Sequence, residues 1–229
     1  MRAEPRPGGL LHTLRPRYVL WSPSAIIPHR NLGSLTITQR SIWRNGPATP
    51  LASAMVGDAR QLDYSDASVD AALLLGPLHH LTNRVDRIQA LTEARRALRP
   101  GGVLAAAAIS RFASTCDGLL RGYLDEPGFE TIVERDVREG QHRNPTRRPE
   151  WFTTAYFHLP GELGQEVTEA GVRLHALLAV EGPAWMLPDI DQRLADPARR
   201  GRVLAAIRRV ETEPSLLGAS AHLLAIAHR

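Results

Sequence analysis

Two short stretches carry residue types that could do chemistry: Gly57-Asp58-Ala59 and Gly76-Pro77-Leu78-His79-His80. A carboxylate on a short side chain accepts hydrogen bonds only, and a turn fixes its reach, which suits an amino or hydroxyl group on a ligand. Glycine at position 76 lets a ligand approach the backbone closely. Imidazoles titrate near neutral pH and can take a proton from a nucleophile. Plainer roles stay open beside these: Asp58 also suits a simple turn, and the two histidines also suit a solvated loop. Adjacent histidines diverge on a helix or a strand, whereas metal sites need converging spacings such as i and i+4. A metal is therefore not expected at His79 and His80, and no Ser, His and Asp set has the spacing of a nucleophile and its base.

These residues need elements to hold them. Val69–Leu75 is an unbroken apolar run of strand length, as in a strand buried on both faces of a parallel sheet. A helix follows His80. Thr82 or Asn83 can cap it, and Asp86 suits its first turn. Val85, Ile88, Leu91, Ala94 and Leu98 form an apolar stripe, and Pro100-Gly101-Gly102 is the stop. Arg95, Arg96 and Arg99 read as a helix-end, solvated cluster. Val103–Ile109 is a second buried strand, which completes a strand–helix–strand unit.

Further along, residues 110–124 suit a helix and residues 125–150 read as loop, with Arg143–Pro149 exposed. A helix after Pro160, a strand in Val172–Gly182, a helix in Asp196–Pro214 and a final strand in Ser220–Arg229 complete the pattern. Trp151, Phe152, Tyr156 and Phe157 cluster as core or as one wall of a pocket. Asp66 and Asp70 read as structural turn and strand-entry residues.

Every basic residue is arginine, and the charge is uneven. Residues 1–57 hold seven arginines and one acid, Glu4, whereas residues 58–229 hold 21 arginines and 23 acids. The basic character thus belongs to the N-terminal quarter, and the rest offers no nucleic-acid groove. Prolines interrupt residues 1–54, and only Ser34–Thr38 resembles a strand. The expected organisation is a basic, poorly ordered segment over 1–54 and one domain over 55–229. The single cysteine, Cys116, cannot form an internal bridge and fits a reducing, cytoplasmic setting. No apolar run approaches the ~18 residues of a membrane span.

The string "VGDARQLDYSDASVDAALLLGPLHHL", followed by "EARRALRPGGVLAAAAISR", resembles the class I S-adenosylmethionine-dependent methyltransferases. That resemblance implies an α/β fold with a doubly wound, mostly parallel, Rossmann-like sheet and antiparallel C-terminal strands. It implies S-adenosyl-L-methionine as cofactor and methyl transfer to a small-molecule acceptor. The implied cofactor-binding residues are Asp58 and Ala59 at the adenine, and Gly76, Pro77 and Leu78 at the methionine end. No catalytic base follows from the resemblance; His79 and His80 stand as candidates by type and place alone.

The family's glycine-rich loop after its first strand, and the acid that holds the ribose, have no counterpart in residues 1–57. The expectation drawn from this departure is that the N-terminal part has been lost and replaced, with weakened cofactor binding. Two other classes follow: a catalytically inactive, methyltransferase-like interaction domain, and a basic-armed nucleic-acid binder.

Overall fold

The computed structural model describes residues 18–21, 35–36 and 56–229. Strand β1 (Tyr18–Trp21) comes first, followed by β2 (Leu35–Thr36) and β3 (Val56–Gly57). β2 and β3 form a small antiparallel pair of their own. Apart from β1 and β2, the segment expected to be poorly ordered lies outside the described residues.

The apolar run becomes β4 (Val69–Leu74), which lies parallel between β1 and β5 (Leu98–Ser110). The crossover holds a one-turn helix, α1 (Pro77–His80), and a longer one, α2 (Arg84–Ala97). α2 stops three residues before Pro100, and the chain turns directly into β5 at Leu98. The residue before a proline is pushed to extended backbone, so strand, not turn, is the natural approach to Pro100.

Of the expected apolar stripe of α2, Leu91, Ala94 and Leu98 are buried and Ile88 packs partly buried against the core, but Val85 is not buried. The buried residues of the helix are Arg87, Ala90, Leu91, Ala94 and Ala97, while Val85 is 72% exposed. Counting apolar residues placed Val85 in the stripe. In its first turn the helix instead buries Arg87 against an acid on a later helix. Val85→Ser is therefore expected to change stability by no more than about 0.5 kcal/mol in urea unfolding.

Beyond β5 come α3 (Ala113–Arg121), α4 (Phe129–Glu139), β6 (Gln141–His142) and β7 (Ala155–His158). α4 corrects the loop expected over 125–150. Its buried residues, Phe129, Ile132, Val133 and Asp136, fall at helical spacing, and glycines in left-handed backbone flank it at 128 and 140. The loop after β6 is tied down. Arg148 pairs with Glu126 and lies over the Trp151 ring, and Asn144 Nδ2 donates to the carbonyls of Arg148 and Phe152, both at 2.7 Å.

The chain then forms α5 (Pro160–Glu169), β8 (Arg173–Ala179), α6 (Ile190–Ala195), α7 (Pro197–Arg208) and β9 (His222–His228). β9 runs antiparallel beside β5, from Val103 opposite His228 to Ile109 opposite His222, and β8 is antiparallel to β9. β7 continues parallel to the last two residues of β5, with Ser110 opposite His158. The result is the expected α/β, Rossmann-like fold with antiparallel C-terminal strands. Its core packs Leu91 and Ala94 of α2 and Leu163 and Val167 of α5 with Leu74, Leu104 and Leu223 of the sheet. Burying each such leucine contributes roughly 1.5–3 kcal/mol.

Candidate functional site

β1, β4, β5 and β7 run the same way. β8, two antiparallel steps from β5, shares their direction. Leu74, Ser110, His158 and Ala179 therefore end at one edge of the sheet, where open α/β sheets place ligands. α1 begins there. Gly76 precedes it with φ 149° and ψ −30°, backbone open to glycine and strained for any residue with a Cβ. Pro77 takes the first helical position, where its missing N–H costs nothing. Leu78 points into the core and is fully buried, which anchors the turn.

His79 and His80 leave this short helix with their rings 4.4 Å apart. The Phe152 ring is 6.0 Å from His79 and 6.2 Å from His80, nearly parallel to the latter. Phe152 is 41% exposed and sits at φ 62°, ψ −170°, a strained conformation outside glycine. Of the aromatic cluster singled out in the sequence, Trp151 and Phe157 are core and Tyr156 is partly buried, so Phe152 alone is the exposed wall. Burial pushes both histidines below the ordinary imidazole range, His79 furthest, where His80, His222 and His158 add to the effect. Both are neutral at neutral pH and keep a lone pair. The Nδ1 of His79 is closed from solvent with no hydrogen-bond partner among the described residues.

Behind this wall lies a buried polar network that the sequence reading missed. Arg87 Nε donates to both oxygens of Glu166, at 3.1 and 3.0 Å, and Nη2 adds a 2.7 Å bond to Oε1. Arg87 Nη1 donates to the carbonyls of Leu81 and Thr82, the loop that joins α1 to α2. The guanidinium lies 3.6 Å from the centre of the Tyr156 ring, a cation–π contact. His158 Nε2 stands 3.2 Å from Glu166 Oε2. A carboxylate only accepts, so that nitrogen carries the proton and Nδ1 holds a lone pair without a partner among the described residues. Arg111, buried at the end of β5, joins Glu162, Tyr156 Oη and the Phe157 carbonyl. The one legible signal was an arginine set among the apolar positions of α2; its partner lies 79 residues away.

Asp58 and Ala59 form a turn against the first half of α2. Ala59 is buried, Arg60 Nη1 lies 3.3 Å from Asp86, and Gln89 Nε2 donates to the Arg60 carbonyl at 3.3 Å. The turn thus stands beside the helix that follows His80. Arg60 holds both Asp58 oxygens: the backbone N–H and Nε reach Oδ1 at 2.9 and 3.1 Å, and Nη2 reaches Oδ2 at 2.7 Å. The side-chain bond from Arg60 keeps the carboxyl below its ordinary pKa. Asp66 and Asp70 are structural: Arg96 ties Asp66 to Glu93 and Arg99 pairs with Asp70.

The orphaned Nδ1 of His79, the exposed phenyl and the Cβ-free backbone at Gly76 fit a ligand with a polar reacting end; the occupied Asp58 fits only a ligand that displaces Arg60. Among the described residues no group of three or more His, Cys, Asp or Glu is placed to hold a metal ion. Nor, among them, is any helix long and apolar enough to cross a membrane.

Residues 33–106 match the family model of a methyltransferase domain. No curated protein matches the chain. A SAM-dependent methyltransferase from Methanosarcina mazei shares 17% identity over 75% of this chain and 64% of its own, at TM-score 0.45. An S-adenosylmethionine-dependent methyltransferase from Mesorhizobium loti shares 15% over 76% and 67%, at 0.44. A SAM-dependent methyltransferase from Thermotoga maritima shares 20% over 75% and 61%, at 0.40. This chain thus spans 61–67% of the length of those structures. Over residues 33–106 the chain is thus similar to methyltransferase domains.

Proposed function

We propose that this chain transfers a methyl group from S-adenosylmethionine to a small-molecule acceptor at the carboxyl edge of the sheet. The observation that carries the reading is the turn after β4, where Gly76 leaves the backbone open and two neutral imidazoles stand beside an exposed phenyl ring. S-adenosylmethionine supplies a methyl already activated on a sulfonium, so the protein's task is alignment and exclusion of water. Gly76, Pro77 and Leu78 line the methionine end, and Asp58 and Ala59 receive the adenine once Arg60 swings aside. His79 or His80 takes the proton that an O–H or N–H acceptor gives up as its new bond to carbon forms. Phe152 offers a face on which a planar acceptor stacks. The domain over 55–229 carries these residues.

No glycine-rich loop follows β1, where the sequence continues Ser22-Pro23-Ser24. That favours a second reading, a domain with the family fold and no catalysis. Calorimetric titration with S-adenosylhomocysteine separates the two. One-to-one heat, weakened about tenfold or more by Asp58→Ala and by Gly76→Val, supports the first reading; a silent titration of the unaltered chain sinks it. Tenfold corresponds to about 1.4 kcal/mol, the scale of one lost charged hydrogen bond.

A further inference from the structure

An open cavity lies on the same rim of the molecule. β8 ends at the edge where β4 and β5 end, so residues 180–221, which join β8 to β9, all leave from that edge. They are pinned to it. Glu181 accepts from Ser220 Oγ at 2.8 Å and meets His222 Nδ1 at 2.6 Å. Trp185 Nε1 donates to the Ala219 carbonyl at 2.9 Å, and Ser110 Oγ donates to the Gly218 carbonyl at 3.1 Å. Between α6, α7 and the turn at Gly182–Met186 this segment lines a cavity of about 620 Å³ that is open to solvent. That volume is in the range of small-molecule sites.

The lining has two parts. Leu187 and Val203 make an apolar floor. Arg193, Arg199 and Arg202 stand around it with one acid, Asp189. Asp189 is already engaged, 2.7 Å from Arg193 Nε. Of the acids that follow, Asp191 is not in the lining, and Asp196 caps α7 by accepting from the Arg199 backbone N–H at 2.8 Å. Arg199 and Arg202 thus have no carboxylate within 4 Å among the described residues, yet they sit three apart on one helix, where like charges repel. An anion between them removes that repulsion. A guanidinium fork matches a carboxylate in two bonds, and the apolar floor suits a hydrocarbon body beside it.

We propose that this cavity binds the carboxylate of a small amphipathic organic acid, held by Arg199 and Arg202 with its body on Leu187 and Val203. If the chain is the methyltransferase argued above, this acid is its acceptor class. Binding itself does not depend on that reading.

The test is calorimetry of the full chain with benzoate at low salt, without cofactor. One-to-one binding is expected, reduced at least tenfold in the Arg199→Gln/Arg202→Gln double variant. It should be unchanged in Arg208→Gln, which lies on the same helix outside the lining. Absent benzoate binding overturns the proposal, and so does an equal loss in Arg208→Gln. Inorganic phosphate binding as tightly as benzoate overturns it too, because the floor would then play no part. Benzoate binding in a chain silent to S-adenosylhomocysteine leaves this site standing and removes the methyltransferase reading.

Discussion

Glu166→Ala is expected to destabilise the chain by about 3–5 kcal/mol, read as a lower urea midpoint. Both partners of the Arg87–Glu166 pair are 1% exposed, so the substitution leaves a guanidinium in the core with nothing to balance its charge. The pair itself is worth far less than its breakage costs, because desolvating two charges offsets most of their attraction. Replacing both, as Arg87→Met/Glu166→Leu, is therefore expected to cost less than Glu166→Ala alone. It will not be neutral, since the carbonyls of Leu81 and Thr82 lose their donor. A double variant as damaged as the single one would show that the charge is not what the pocket protects.

The same pair makes stability depend on pH. Burial acts to raise the Glu166 pKa, but hydrogen bonds from His158 and Arg87 outweigh it and hold the carboxyl down at about 2. The folded value lies below the unfolded one, so this contribution is complete above about pH 4.5 and disappears as the pH falls toward 2. His158 works in the same direction. Burial lowers its pKa against the pull of Glu166, so the unfolded chain takes up a proton first as the pH drops below about 6.5. Urea midpoints should fall from pH 7 to pH 3, and His158→Gln should flatten the upper part of that slope.

Gly140→Ala is expected to cost about 3 kcal/mol, from two additive causes. The backbone at Gly140 has φ 69°, which strains any residue with a Cβ. A Cβ there would also stand 2.5 Å from the Phe157 carbonyl oxygen and 2.7 Å from Arg111 Nη2. The carbonyl belongs to β7, which places Phe157 and His158, so relief would come by pushing β7 off the end of β5. Gly128 provides the control: its φ is 90° but a Cβ would meet nothing within 4 Å, so Gly128→Ala should show the strain alone. Equal urea midpoints for the two variants would refute the crowding at Gly140.

What could be read without coordinates followed from local periodicity and end signals. Val69–Leu75 and Val103–Ile109 are apolar on both faces and became adjacent parallel strands, since only a sheet covered on both sides hides such runs. α4 carried the same kind of signal at Phe129, Ile132, Val133 and Asp136, and was missed because its many charges outvoted its period. Gly76 was legible as special because a glycine at a strand end has few other reasons to be there. Its φ of 149° is the physical content of that hint.

The exposure of Val85, the partner of Arg87 and the exposed ring at Phe152 had no local signal. Arg87 rather than Val85 is buried because Glu166 arrives on another helix, and no pattern within α2 contains that carboxylate. The two arginines facing one cavity are likewise a product of how α6 and α7 fold back on each other. By itself the chain's order of apolar and polar residues determined which segments are strands and helices, because that choice rests on neighbours within a few residues. Which charges are buried, and which side chains surround a space large enough for a ligand, was decided by tertiary packing, because charges can be buried only where partners from distant segments meet.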